Sequence, residues 1–276
     1  MRHSIHQMCY DYTAGRGRIL QNKTDTLTTE HSRDDIPVEK KKFKDMDKHE
    51  RANRILYFAV LLSLAVPVVF LILRMIFSNG ENPNAGYHSE ADYALMLVQC
   101  AMGIVAIHIP MMLERTFKFD IPIILYSMYI IFLYCAIFLG EVGSFYYKVP
   151  FWDTILHAFS SLMLGAFGFM LVSILNHSER VMVSLSPAFL AIFAFCFAVA
   201  IGAIWEIYEY TFDGLLGLNM QKFMTADGTV LVGHEALSDT MKDIMVDALG
   251  AAVSSVVGFV SIKKGLFWLM PRLRRM

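Results

Sequence analysis

The sequence predicts an all-α fold: a polytopic membrane helix bundle of six transmembrane helices with both termini cytoplasmic. Three observations carry that reading: an excess of apolar residues, their concentration into six long runs, and lysines and arginines gathered on alternate connections. Of 276 residues, 56% are hydrophobic and 18% charged, and the mean hydropathy is +0.47. Soluble domains usually hold roughly 45–50% apolar and about 25% charged residues. The charge is also uneven. Residues 1–54 hold 12 of the 24 Lys+Arg and 9 of the 25 Asp+Glu, leaving 12 and 16 for the other 222. A soluble globular enzyme is excluded, and a net charge of -1 leaves no electrostatic footprint for nucleic acid.

Residues 1–54 read as a polar cytoplasmic tail, and residues 55–276 as the membrane domain. To about Pro37 the tail lacks periodicity and is expected to be disordered. His3, His6 and Cys9 have metal-compatible spacing, but a mobile terminus explains them more simply. Lys40–Arg54 is basic and suits an anionic inner leaflet. With no apolar signal-peptide core in the tail, the first apolar run is expected to act as an uncleaved anchor.

A helix needs about 20 mostly apolar residues to span a bilayer. Six segments qualify: Ile55–Phe77, Asp92–Leu113, Ile121–Leu139, Asp153–Leu175, Pro187–Phe212 and Thr240–Ile262. They lack the alternation of an outer-membrane strand. Cys100, Cys135 and Cys196 lie inside these runs with no C-x-x-C, so they read as small hydrophobes. With the N-terminus inside, fifteen Lys/Arg of the short connections and ends fall on the inner side. Only Arg74, Lys148, Lys222 and Lys242 fall outside, and that bias sets the orientation. The longest outer connection, Gly214–Ser238, contains Ala226–Val232, which reads as a hairpin turned at Asp227-Gly228.

Ionisable groups at mid-bilayer cost roughly 2.5–3.5 kcal/mol each on the insertion scale, yet the last three spans carry many. Asp153 and His157 stand at i,i+4 on the fourth span; Glu206, Glu209 and Asp213 share a face of the fifth. On the sixth, Asp239, Asp243 and Asp247 repeat at i,i+4,i+8, continued by Gly250, Ser254 and Gly258. With these directions every acid falls in the outer half of its helix, above stripes of Gly and Ser that let backbones approach. Glu141 joins from the third span. Eight carboxylates and one histidine cannot all stay charged in a dry site; either some keep protons or a cation balances them. Mixed carboxylate and imidazole donors suit Mn, Fe or Zn better than Ca. The expected metal ligands are His157, Glu206, Glu209 and Asp243, with Asp153 or Asp247 as general base or supporting group. Asp153 and Asp239 also stand at predicted helix starts, where capping is ordinary, and Asp213 and Glu141 are open to a wetted, interfacial reading. His108, alone beside Pro110, reads as a structural histidine.

Trp152-Asp153-x-x-x-His157, Trp205-Glu206-x-x-Glu209 and Asp239-Thr240-x-x-Asp243 with Asp247 and Gly250 resemble the YjdF family of bacterial inner-membrane proteins. More distantly they are similar to VanZ-like proteins, although the glutamine and arginine of that acidic span are replaced by Glu209 and no arginine. The resemblance covers about residues 92–262 and implies a bacterial plasma-membrane location; it brings no established reaction. The expected function is a multi-pass protein with an outward-facing acidic and histidine site that binds a divalent metal and acts on an envelope or lipid-linked substrate. Two alternatives stand beside it. One is a cation- or proton-coupled transporter using the same carboxylates, disfavoured by inner halves that offer only Gly and Ser. The other is a structural membrane protein.

Overall fold

The computed structural model describes residues 48–77, 90–117, 119–176, 185–225, 228–265 and 272–273. The tail with His3, His6 and Cys9, and the hairpin tip Ala226-Asp227, lie outside the described residues. In order come α1 (Lys48–Phe77), α2 (Glu90–Ala106), α3 (Ile109–Phe117), α4 (Ile123–Leu133), α5 (Phe145–Lys148), α6 (Trp152–Asn176), α7 (Pro187–Leu216) and α8 (His234–Lys263). A π-helix, Tyr134–Val142, prolongs α4. Six stretches are long and apolar enough to cross a membrane: Lys48–Phe77, Tyr93–Thr116, Ile123–Val142, Trp152–Ile174, Pro187–Leu216 and His234–Lys263. The fold is thus an all-α polytopic bundle, as the apolar runs predict.

Helices α6, α7 and α8 pack on one another more extensively than any other elements. Their seam is made of small residues: a Cβ on Gly165 would land on the Ser254 hydroxyl, and one on Gly250 on that of Ser161. On α7 the polarity is inverted relative to a soluble helix. Ile204, Ile207 and Tyr210 are exposed, whereas Glu206, Glu209 and Asp213 are buried, because lipid is the solvent for the outer face. A second core, around Leu64, Cys100, Ile130 and Leu133, joins α1, α2 and α4.

The second span departs from one straight helix. Pro110 cannot donate to the Ala106 carbonyl and its ring crowds that turn, so the helix breaks at Ile107-His108. The freed carbonyls are satisfied within the bundle: Tyr129 Oη–H donates to Ala106 O at 2.8 Å, and His108 Nδ1–H to Ile104 O at 2.8 Å. Tyr57 Oη then lies 3.0 Å from His108 Nε2. His108 is therefore part of a repaired kink.

The sixth helix begins at His234, behind an N-cap Gly233 at φ 63°, six residues before the predicted Thr240. Asp239 is thus not a capping residue, contrary to expectation; it lies in the second turn. The start of α1 lies by the start of α4, where Ser127 Oγ–H donates to Asn53 Oδ1 at 2.8 Å. The two-residue strands β1 (Phe119–Asp120) and β2 (Arg272–Leu273) pair antiparallel. The beginning of α1, the α3–α4 connection and the segment after α8 therefore share one face. The starts of α6 and α8 and the end of α7 share the other.

Candidate functional site

His157 is the centre of the buried polar group. The i,i+4 spacing sets it one turn below Asp153 on α6, and its ring meets acids from α7 and α8. His157 Nδ1 lies 3.2 Å from Asp247 Oδ2. In the neutral ring that Nδ1–H donates to the carboxylate, which turns the Nε2 lone pair the other way. There, Nε2 lies 3.8 Å from Asp153 Oδ1 and 3.7 Å from Glu206 Oε1. Asp243 completes the group: donor atoms of Asp153, His157 and Asp243 all lie within 4.8 Å of one another. His157, Glu206, Asp243 and Asp247 are 5%, 4%, 3% and 2% exposed. Among the described residues, both oxygens of Glu206 and Oδ1 of Asp247 have no hydrogen-bond partner within 3.5 Å.

The outer rim is a connection folded over these acids. Lys222 Nζ donates to Asp153 Oδ2 at 2.6 Å and to Asp239 Oδ2 at 3.2 Å. Burial alone would lower the lysine pKa, but the Asp153 and Asp239 carboxylates outweigh it and hold the ammonium above its ordinary range. Asp153 thus gives one oxygen to Lys222 and turns the other to His157. Asp213, buried rather than wetted, accepts from the Met220 and Gln221 backbone N–H at 2.7 and 3.0 Å and so fixes the strand of loop that carries Lys222. Beyond it Met224 pairs with Val230, with Leu231 N–H donating to Phe223 O at 2.9 Å, so the described flanks of the expected hairpin do run antiparallel.

Beside the acids lies a cavity of about 250 Å³. Glu209 faces it, Oε1 accepting from Trp205 Nε1–H at 2.9 Å. Glu141, delivered by the π-helix, and Tyr146 line it as well. A Cβ on Gly140 would strike the Tyr146 ring, so that glycine admits the ring against the π-helix. Burial, and then Glu141, Asp153 and Glu209, push the Tyr146 phenol well above its usual range. It remains a neutral donor.

Of the six residues singled out from sequence, five (Asp153, His157, Glu206, Asp243 and Asp247) meet around one imidazole. Glu209 stands apart, on the cavity. Asp153, expected as a base, is among the atoms grouped for metal binding, and Asp247 supports the imidazole. Lys222 was not expected to reach in; only its place on the loop between the two most acidic spans hinted at it. Trp205 and Tyr146 carried no signal beyond an aromatic near an acid.

Fold and site together define a multi-pass membrane protein whose last three helices enclose an oxygen- and nitrogen-rich centre. The chain belongs to a family described as predicted membrane protein, DUF2238, whose family model matches residues 60–264. It is similar to an uncharacterised protein of Thermotoga maritima, 33% identical over 135 residues, which are 49% of this chain and 60% of that protein. No solved structure matches the chain.

Proposed function

We propose that Asp153, His157, Glu206 and Asp243 hold a divalent metal ion, and that the protein uses it on an envelope or lipid-linked substrate reached through the adjoining cavity. The observation that carries this is Glu206, whose carboxylate is 4% exposed, has no hydrogen-bond partner within 3.5 Å among the described residues, and lies 3.7 Å from an imidazole nitrogen. That separation is too long for a hydrogen bond. It is near the roughly 3.4 Å expected between two ligands that are each about 2.1 Å from a tetrahedral ion. Asp247 supports His157 from behind, the usual partner of a metal-ligating imidazole. The donor set favours Mn, Fe or Zn.

When bound, the ion supplies Lewis-acid activation. The chain supplies the rest. Lys222 and Asp153 set the outer edge of the site, and Trp205 and Tyr146 shape the cavity. The YjdF resemblance, with VanZ-like proteins more distant, supports a bacterial plasma membrane. The Lys/Arg bias supports cytoplasmic termini, a tail over residues 1–54 and an outward-facing site.

Elemental analysis of the full chain purified in detergent is expected to find about one equivalent of transition metal. His157→Ala or Asp243→Asn should remove it with the fold intact. His108→Ala should keep it, since that ring serves the α2–α3 kink. Metal-free wild type, or equal loss from all three variants, would overturn the site.

A further inference from the structure

We propose that the cavity beside the metal centre binds a small organic ammonium group. It is lined by three carboxylates, Glu141, Asp153 and Glu209, and by one ammonium, Lys222, which is engaged by Asp153 and Asp239. Glu209 is the pointer to a ligand. It is 5% exposed, Trp205 occupies Oε1, and Oε2 has no partner among the described residues. A carboxylate oxygen turned to a cavity from an otherwise buried side chain attracts a positive group. The same carboxylates act on Tyr146, whose phenol they help keep protonated; a field that retains a proton there attracts a cation.

The walls decide the kind of cation. Trp205, Tyr146 and Tyr147 bring aromatic surface to the cavity, and ring faces attract a diffuse positive charge, whereas they offer a bare metal ion no ligand. The volume agrees. At about 30 Å³ per water-sized unit, 250 Å³ holds on the order of eight non-hydrogen atoms, room for the four of an ethanolamine group with part of what it is attached to, and far more than a naked ion fills. Such a group reaches the site as a free amine or as the headgroup of an aminophospholipid. The site uses Glu209 and the aromatic wall, so it stands whether or not the neighbouring centre holds metal; the two share Asp153.

The test is calorimetric titration of the full chain in phosphatidylglycerol nanodiscs with ethanolamine, and with ethylene glycol as the uncharged analogue. A free-amine site gives saturable binding of ethanolamine, none of ethylene glycol, at least tenfold weaker affinity in Glu209→Gln and a several-fold loss in Trp205→Phe. A headgroup site gives a higher unfolding temperature in discs containing phosphatidylethanolamine, a gain absent in Glu209→Gln. Metal content is read on the same samples. Glu209→Gln should keep the metal content of wild type, which also shows that the variant is folded; if it does not fold, Trp205→Phe carries the comparison. Equal binding by ethylene glycol, equal responses of wild type and variants, or no response in either disc overturns the ammonium site, and does so independently of the metal result.

Discussion

Gly202 shows how closely the centre is fitted. A Cβ there would land on the Asp247 carboxylate, the group that holds His157 from below. Gly202→Ala touches no acid and no imidazole, yet it must push Asp247 aside. Overpacking of this kind usually costs about 1–3 kcal/mol, and the loss of a partner behind a ligating histidine about 10–100-fold in metal affinity. The expected result is a folded, less stable protein whose metal affinity falls by about that factor, read by competition with a chelator. Asp247→Asn is the companion: its amide oxygen still accepts from Nδ1–H, while a buried charge with an unpaired oxygen is removed. Thermal stability should hold or rise while metal affinity falls. Unchanged affinity in both variants would show that Asp247 packs and does not position.

The elements that build the site are of two kinds, and only one was legible in the sequence. Periodicity alone put Asp153 with His157, and Asp243 with Asp247, on single helix faces, because i,i+4 geometry is local. The break at His108 was half legible: Pro110 announces it, but the repair by Tyr129 depends on a partner from another helix. The π-helix that brings Glu141 to the cavity has no comparable local signal. Lys222 reaches Asp153 across 69 residues, and only tertiary packing fixes such a pair. Its loop is also held through Asp213, which accepts two backbone N–H groups from within a buried position. Asp213→Ala leaves both donors without that acceptor, and charge-assisted bonds of this type contribute about 1.5–3 kcal/mol. Hydrogen exchange at Met220 and Gln221 should accelerate while the metal content of the centre persists. Unaltered exchange would mean that the loop is held elsewhere.

At the scale of the whole molecule, the number of crossings and the sharing of one face by all the site acids followed from composition and spacing, because lipid imposes helices and internal pairing on any spanning chain. Sidedness is a separate question, and the proposed orientation rests on charge. The face bearing the start of α1, the β1–β2 pair and the end of α8 also carries Lys48, Arg51, Arg54, Lys263 and Lys264. The opposite face bears the loop with Lys222, a lysine already committed to two carboxylates. Basic residues near membrane ends are retained in the cytoplasm, and on that ground we propose that the first face is the inner one and that the acids open outward. Reporter fusions at Asn176 and after Met276 should report the cytoplasm, and fusions at Asn84 and Asp227 the exterior. Moving the bias should move the result: neutralising Lys263, Lys264, Arg272, Arg274 and Arg275 together should weaken the cytoplasmic signal of a C-terminal reporter, whereas neutralising Lys148 or Lys242 should not. Because both ends of the described bundle share one face, an exterior C-terminus in the wild type would invert the whole molecule and turn the site to the cytosol, which would overturn the proposed outward-facing site.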